Sequence, residues 1–114
     1  MSSSEETVPA EPTQLTDQSE FDTAVSTYDV VLVDFYADWC GPCQMMEPTI
    51  ETLASDTAAA VVKVDVDRFQ GLASQYGVQG IPTLLLFAEG ELVERLVGVQ
   101  GADQLSSTIA EYAN

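Results

Sequence analysis

"VVLVDFYADWCGPC" occupies residues 30–43. Its first seven residues are apolar, mostly β-branched or aromatic, and interrupted only by Asp34. That composition is typical of a strand covered on both faces. Its last four residues, Cys40-Gly41-Pro42-Cys43, hold the only two cysteines of the 114-residue chain. Beyond them Met46, Ile50, Leu53 and Ala54 fall at helical spacing. The spacing predicts a helix over 40–56 that opens at the cysteine pair and is kinked by Pro48.

Strands and helices alternate on either side of this unit. "AVVKVDV" (60–66) is a second strand, and two strands joined by a long helix should run parallel with a right-handed crossover. Upstream, Phe21, Ala24, Val25 and Tyr28 mark one face of a helix over 18–27, preceded by a short edge strand near 13–15. Downstream, Phe69, Leu72, Ala73 and Tyr76 mark a short helix, with Asp67 and Gln70 as a variant capping box. "TLLLFA" and "ELVERLV" flank Glu89-Gly90, a two-residue hairpin signal. Ala102, Leu105, Ile109 and Tyr112 mark a closing helix. The expected architecture is α/β: one mixed sheet with helices on both faces. Residues 14–114 form its single domain. Residues 1–13, rich in Ser, Glu, Pro and Thr, read as an acidic disordered tail.

The charge balance is extreme, with 19 acidic residues against Lys63, Arg68 and Arg95 and a net charge of −16. Nucleic acid and anionic membrane surfaces are therefore not expected partners. The acids are scattered over every segment, which suits a surface adapted to concentrated salt, where repulsion is screened within a few ångströms. Steering towards a basic partner is the alternative. "MSSSEETVPAEP" has no basic region and no apolar stretch of signal-peptide length, and no apolar run approaches the roughly 20 residues of a membrane span. A cytoplasmic protein is expected, where thiols are normally reduced and disulfides transient.

The cysteine pair admits three chemistries. A closed zinc site needs four ligands, mostly Cys and His. The chain has no histidine and no third cysteine, so no metal is expected. A structural staple closing so short a loop contributes only about 2 kcal/mol before strain. A redox couple explains more of the surroundings. At a helix N-terminus the unpaired N–H groups and the macrodipole favour an anion, so Cys40 is the thiol best stabilised as thiolate. Cys43, one turn in and expected to be less exposed, is the resolving thiol. Pro42 is tolerated because its missing N–H would be unpaired in the first turn.

The stretch "VDFYADWCGPC", with Pro82 in "GIPTLLLF" and the later "LVGV", resembles the thioredoxin family over about residues 14–113. The resemblance implies a thioredoxin fold and reduction of protein disulfides through a mixed-disulfide intermediate. It also implies no bound cofactor beyond a redox-active Cys40–Cys43 disulfide. The implied partners are a thioredoxin reductase and oxidised client proteins, with the protein itself a monomer. The Gly41-Pro42 pair points to a reductant.

Other residues gain roles on the same terms. Asp34, inside a buried strand, should have its pKa raised by desolvation and be able to exchange a proton with Cys43. The resemblance places the family's buried acid there. Lys63 is the only lysine, on the strand that should lie alongside, where similar proteins place a lysine near that acid. It is expected to approach Asp34 and modulate its titration. From sequence alone Pro82 reads as an ordinary strand-starting proline. The resemblance implies instead a cis Ile81–Pro82 bond beside the disulfide, leaving the Ile81 backbone free to bond an extended substrate peptide. Trp39 is expected to be a partly exposed apolar surface flanking the thiol, and Gly80, Val97 and Gly98 match the family's substrate groove. Two positions depart from the pattern. Gln44 stands where a basic residue often follows the second cysteine, and Tyr36 where Trp is common. The acidic surface should itself raise the Cys40 pKa at low salt.

Two rival functions fit the same residues. A donor dedicated to one target enzyme would fail on unrelated disulfides. A binding module on the same fold would keep its function without either cysteine.

Overall fold

The computed structural model describes residues 7–113. The elements are β1 (Thr13–Gln14), α1 (Gln18–Thr27), β2 (Val30–Tyr36), α2 (Gly41–Met45), α3 (Glu47–Asp56), β3 (Ala60–Asp65), α4 (Gln70–Gln75), β4 (Thr83–Ala88), β5 (Glu91–Val97) and α5 (Ala102–Tyr112). The expected tail lies partly outside the described residues. Residues 7–12 carry neither helix nor strand.

One five-stranded sheet runs in the order β1-β3-β2-β4-β5. β3 pairs parallel with β1 and β2, whereas β4 pairs antiparallel with β2 and β5. Alternate residues of each strand point to opposite faces. Val30 and Leu32 of β2 pack with Leu84 and Leu86 of β4 beneath Ile50 and Leu53 of α3 and Leu105 and Ile109 of α5. Val31, Val33 and Phe35 join Val62, Val64 and Leu85 against Phe21 of α1 and Leu72 of α4. β2 is buried along its whole length, as its apolar composition predicts. Asp34 shares the parity of Val30 and Leu32 and so belongs to the face covered by α3 and α5.

The hairpin forms at Glu89-Gly90, both with positive φ (52° and 84°), the conformation whose twist matches the flanking strands. Two local expectations are corrected. The single kinked helix over 40–56 is two helices, parted at Met46, which ends α2 and begins α3. Pro48 has no N–H to offer Gln44, and its ring is accommodated in the first turn of a new helix. The ladder restarts with the Ile50 N–H donating to the Met46 carbonyl at 2.8 Å. The capping box at Asp67 and Gln70 does not form either. Phe69 caps α4 without a side-chain bond, and Gln70 reaches only the Asp67 backbone oxygen, at 3.3 Å. The Asp67 carboxylate accepts a hydrogen bond from the Trp39 indole instead.

Candidate active site

The site begins where β2 ends. The chain turns through Ala37, Asp38 and Trp39, with the Cys40 N–H donating to the Ala37 carbonyl at 3.2 Å. Cys40 is the N-cap of α2, and Pro42 lies in the first turn. Gly41 faces open space: a Cβ there would meet nothing within 4 Å. Cys40 and Cys43 are joined as a disulfide, with Cα atoms 5.2 Å apart. Both residues are buried, Cys40 at 4% exposure and Cys43 at 3%. Exposure in the oxidised form therefore does not separate their roles. The Cys43 N–H points at Cys40 Sγ, 3.1 Å away. A free helix N–H aimed at a sulfur favours negative charge on that sulfur.

The opposite wall is the loop before β4. The Ile81–Pro82 peptide is cis, and the Ile81 carbonyl oxygen lies 3.9 Å from Cys40 Sγ. Gly98, with φ of 91°, donates its N–H to the Pro82 carbonyl at 2.8 Å. A Cβ on Gly80 would lie 4.0 Å from Val97 Cγ1. Gly80, Ile81, Pro82, Val97 and Gly98 are thus brought together along one side of the disulfide. Val97 is 61% exposed, and Trp39, on the helix side, is 70% exposed. Exposed apolar side chains flanking a reactive group suit the docking of another polypeptide.

Tyr36, Ala37, Cys40 and Cys43 form one buried cluster, with Val66 and Ile81 packed against it. Two residues before Tyr36 on β2 is Asp34, 2% exposed, with no hydrogen-bond partner for Oδ1 among the described residues. Burial pushes its pKa up to about 7; Lys63 opposes the rise and Glu47 adds to it. Lys63 sits directly opposite Asp34 in the β2–β3 register. Its ammonium, however, ion-pairs with Glu47 and lies 4.3 Å from the centroid of the Tyr36 ring. Lys63 thus faces Asp34 in register, while its ion-pair partner is Glu47.

Sequence reading missed Glu47, Asp67 and Met45. Glu47 stands four residues after Cys43, in the first turn of α3 beyond the break at Met46. That spacing was visible, but its meaning depends on Lys63, which is remote in the chain. Asp67 orients Trp39 through a 2.8 Å bond to the indole nitrogen. Met45 is 71% exposed on α2, two residues past Cys43 and out of phase with the buried Met46. Gln44, the departure noted after the second cysteine, donates to the Asp38 carbonyl at 2.8 Å and so ties the turn to α2.

Among the described residues no group of three or more His, Cys, Asp or Glu is placed to hold a metal ion. No helix among them is long and apolar enough to cross a membrane.

Comparisons with known proteins agree with this geometry. The thioredoxin family model matches residues 12–111. A thioredoxin of Chlamydia muridarum is 41% identical over 100 residues, covering 87% of this chain and 97% of that protein. A thioredoxin-like protein of Synechocystis is 53% identical over 77 residues, 66% of this chain and 73% of that protein. Among solved structures, a mutant thioredoxin from Halobacterium salinarum superposes with a TM-score of 0.91 at 57% identity, covering 95% of this chain and 96% of that one. The oxidised mitochondrial thioredoxin 3 of Saccharomyces cerevisiae gives 0.78 at 33% identity, covering 87% and 93%.

Proposed function

The chain belongs to the thioredoxin family of thiol–disulfide oxidoreductases, and from that premise we propose that it is a cytoplasmic reductant of protein disulfides, working through a mixed disulfide at Cys40. The observation that carries this reading is the helix N-terminus aimed at Cys40 Sγ by the Cys43 N–H. In the reduced protein the same group would stabilise a Cys40 thiolate.

The thiolate attacks one sulfur of a client disulfide. That S–S bond breaks, a Cys40–client bond forms, and the other client sulfur leaves as a thiolate that takes a proton. Cys43 then gives its proton to the Asp34 carboxylate and attacks Cys40 Sγ. The Cys40–Cys43 disulfide forms and the second client sulfur departs. Two electrons have passed from the dithiol to the client. A thioredoxin reductase returns them, and Asp34, now protonated, can give its proton back to Cys43. An acid with a pKa of about 7 serves both directions at neutral pH. Clients dock on Trp39, Ile81 and Val97, with the Ile81 backbone available to an extended segment.

The cytoplasm supplies the reducing surroundings this cycle needs. Adaptation to concentrated salt is supported by the net charge of −16 and by the likeness to the Halobacterium salinarum protein. The test is reduction of a disulfide-bonded protein such as insulin, driven by dithiothreitol, in dilute and in molar salt. Reduction well above the dithiothreitol background is expected. Screening should raise the thiolate fraction and the rate constant by about threefold, as a half-unit change in acidity would. Equal rate constants at both salt levels, in a folded sample, would remove the salt reading. Activity no greater than the background would remove the reductase reading.

A further inference from the structure

A buried carboxyl opposite the chain's one lysine should capture that lysine. Here it does not. Lys63 lies across from Asp34 in register, yet its ammonium bonds Glu47 and sits on the Tyr36 ring. Asp34 Oδ1 is left with no partner among the described residues. The Lys63 side chain is 13% exposed and that of Glu47 38%, so the ion pair reaches solvent while Asp34 stays buried.

We propose that Glu47 is a positioning residue of the redox reaction: it holds the Lys63 ammonium on Tyr36 and off Asp34, leaving Asp34 able to alternate between acid and carboxylate. This rests on the reading that Asp34 exchanges a proton with Cys43. An ammonium bonded directly to Asp34 would fix it as the carboxylate, unable to return a proton. An absent lysine would leave the burial cost unopposed and fix it as the acid. Glu47 sets a state between the two by sharing the cation.

Lys63 comes from β3 and Glu47 from α3, and these are the charged groups that act on Asp34. Tyr36 follows two residues along β2, and α2 brings the cysteine pair into the Tyr36 cluster. β4 places Leu84 opposite Asp34, and α5 contributes Leu105 and Ile109 to the apolar layer on that face. The direction of each influence agrees: Lys63 lowers the Asp34 pKa and Glu47 raises it.

The test compares Glu47→Gln, Lys63→Gln and the double variant. The Asp34 carboxyl is titrated by carbon NMR in the oxidised full-length protein, and release of a client thiol from the Cys40 mixed disulfide is timed against pH. Glu47→Gln should lower the Asp34 midpoint by about one pH unit, because the freed ammonium turns to Asp34, the only buried acidic residue among the described residues. In the Lys63→Gln background the same change should shrink to about half or less, since Glu47 acts through Lys63. An unmoved midpoint in folded Glu47→Gln overturns the inference. An equal shift in both backgrounds also overturns it, since Glu47 would then act by its own charge alone. Should Glu47→Gln not fold, Glu47→Asp serves: the shortened carboxylate releases Lys63, and an unmoved midpoint again overturns the inference. A midpoint that falls while the pH profile of client release stays fixed leaves only Glu47's hold on Lys63 standing, and it removes the proton-transfer role of Asp34 and with it the role of Glu47 in the redox reaction.

Discussion

Cys43→Ser is expected to stop turnover and accumulate a covalent adduct with a disulfide client, joined through Cys40. The first attack needs only the Cys40 thiolate at the start of α2. The second needs the sulfur that lies one helical turn away and closes the Cys40–Cys43 bond. A serine hydroxyl cannot perform it, so the mixed disulfide persists. Cys40→Ser should give neither adduct nor turnover. Loss of turnover by at least about a thousandfold is expected in both variants, as for other enzymes stripped of their nucleophile. Mass spectrometry of the adduct decides the roles. A client held on Cys43 in the Cys40→Ser protein, as readily as on Cys40 in the other, would reverse them.

Asp34→Asn should change how stability depends on pH, and by a large amount. Asp34 has a folded pKa of about 7 against an ordinary value of 3.8. The sign follows from proton binding. Below the unfolded pKa the group is protonated in both states and costs nothing in charge. Between the two values the folded protein holds a proton that the unfolded chain releases, so stability falls as pH rises. Above the folded pKa the loss is complete. Three pH units correspond to roughly 4 kcal/mol, an upper figure for a buried group beside an ion pair that can adjust to its charge. The stability difference between Asp34→Asn and the parent protein, both oxidised, should therefore grow by up to roughly 4 kcal/mol between pH 4 and pH 8. Denaturant unfolding at a series of pH values measures it. A difference that stays constant across that window would mean that Asp34 is not held neutral by burial.

The frame of the molecule was legible because its elements carry strong local patterns. The all-apolar β2 run, the helical phase of Phe21 to Tyr28, and the Glu89-Gly90 turn each specify their structure with few long-range contacts. The cysteine pair was legible for the same reason, since a helix N-terminus is a local feature. Local motifs failed where a distant partner intervened. Asp67 looked like a cap for α4, but the Trp39 indole, 28 residues away in sequence, holds its carboxylate. Lys63 was placed opposite Asp34 by strand pairing, but its ion pair depends on where α3 begins. That start is set by the break at Met46, which periodicity alone drew as a kink two residues later. The wall of Gly80, Ile81, Pro82, Val97 and Gly98 was named from resemblance and not from physical pattern. Its members come from two segments that only the β4–β5 pairing brings together.

The equilibrium reduction potential of the Cys40–Cys43 couple tests the central claim most directly. It would be measured against glutathione and dithiothreitol buffers, in dilute and in molar salt. A reductant of protein disulfides must have a potential more negative than that of the glutathione pool, reached reversibly from both directions. A markedly more oxidising couple would contradict the account and assign the pair to forming or exchanging disulfides.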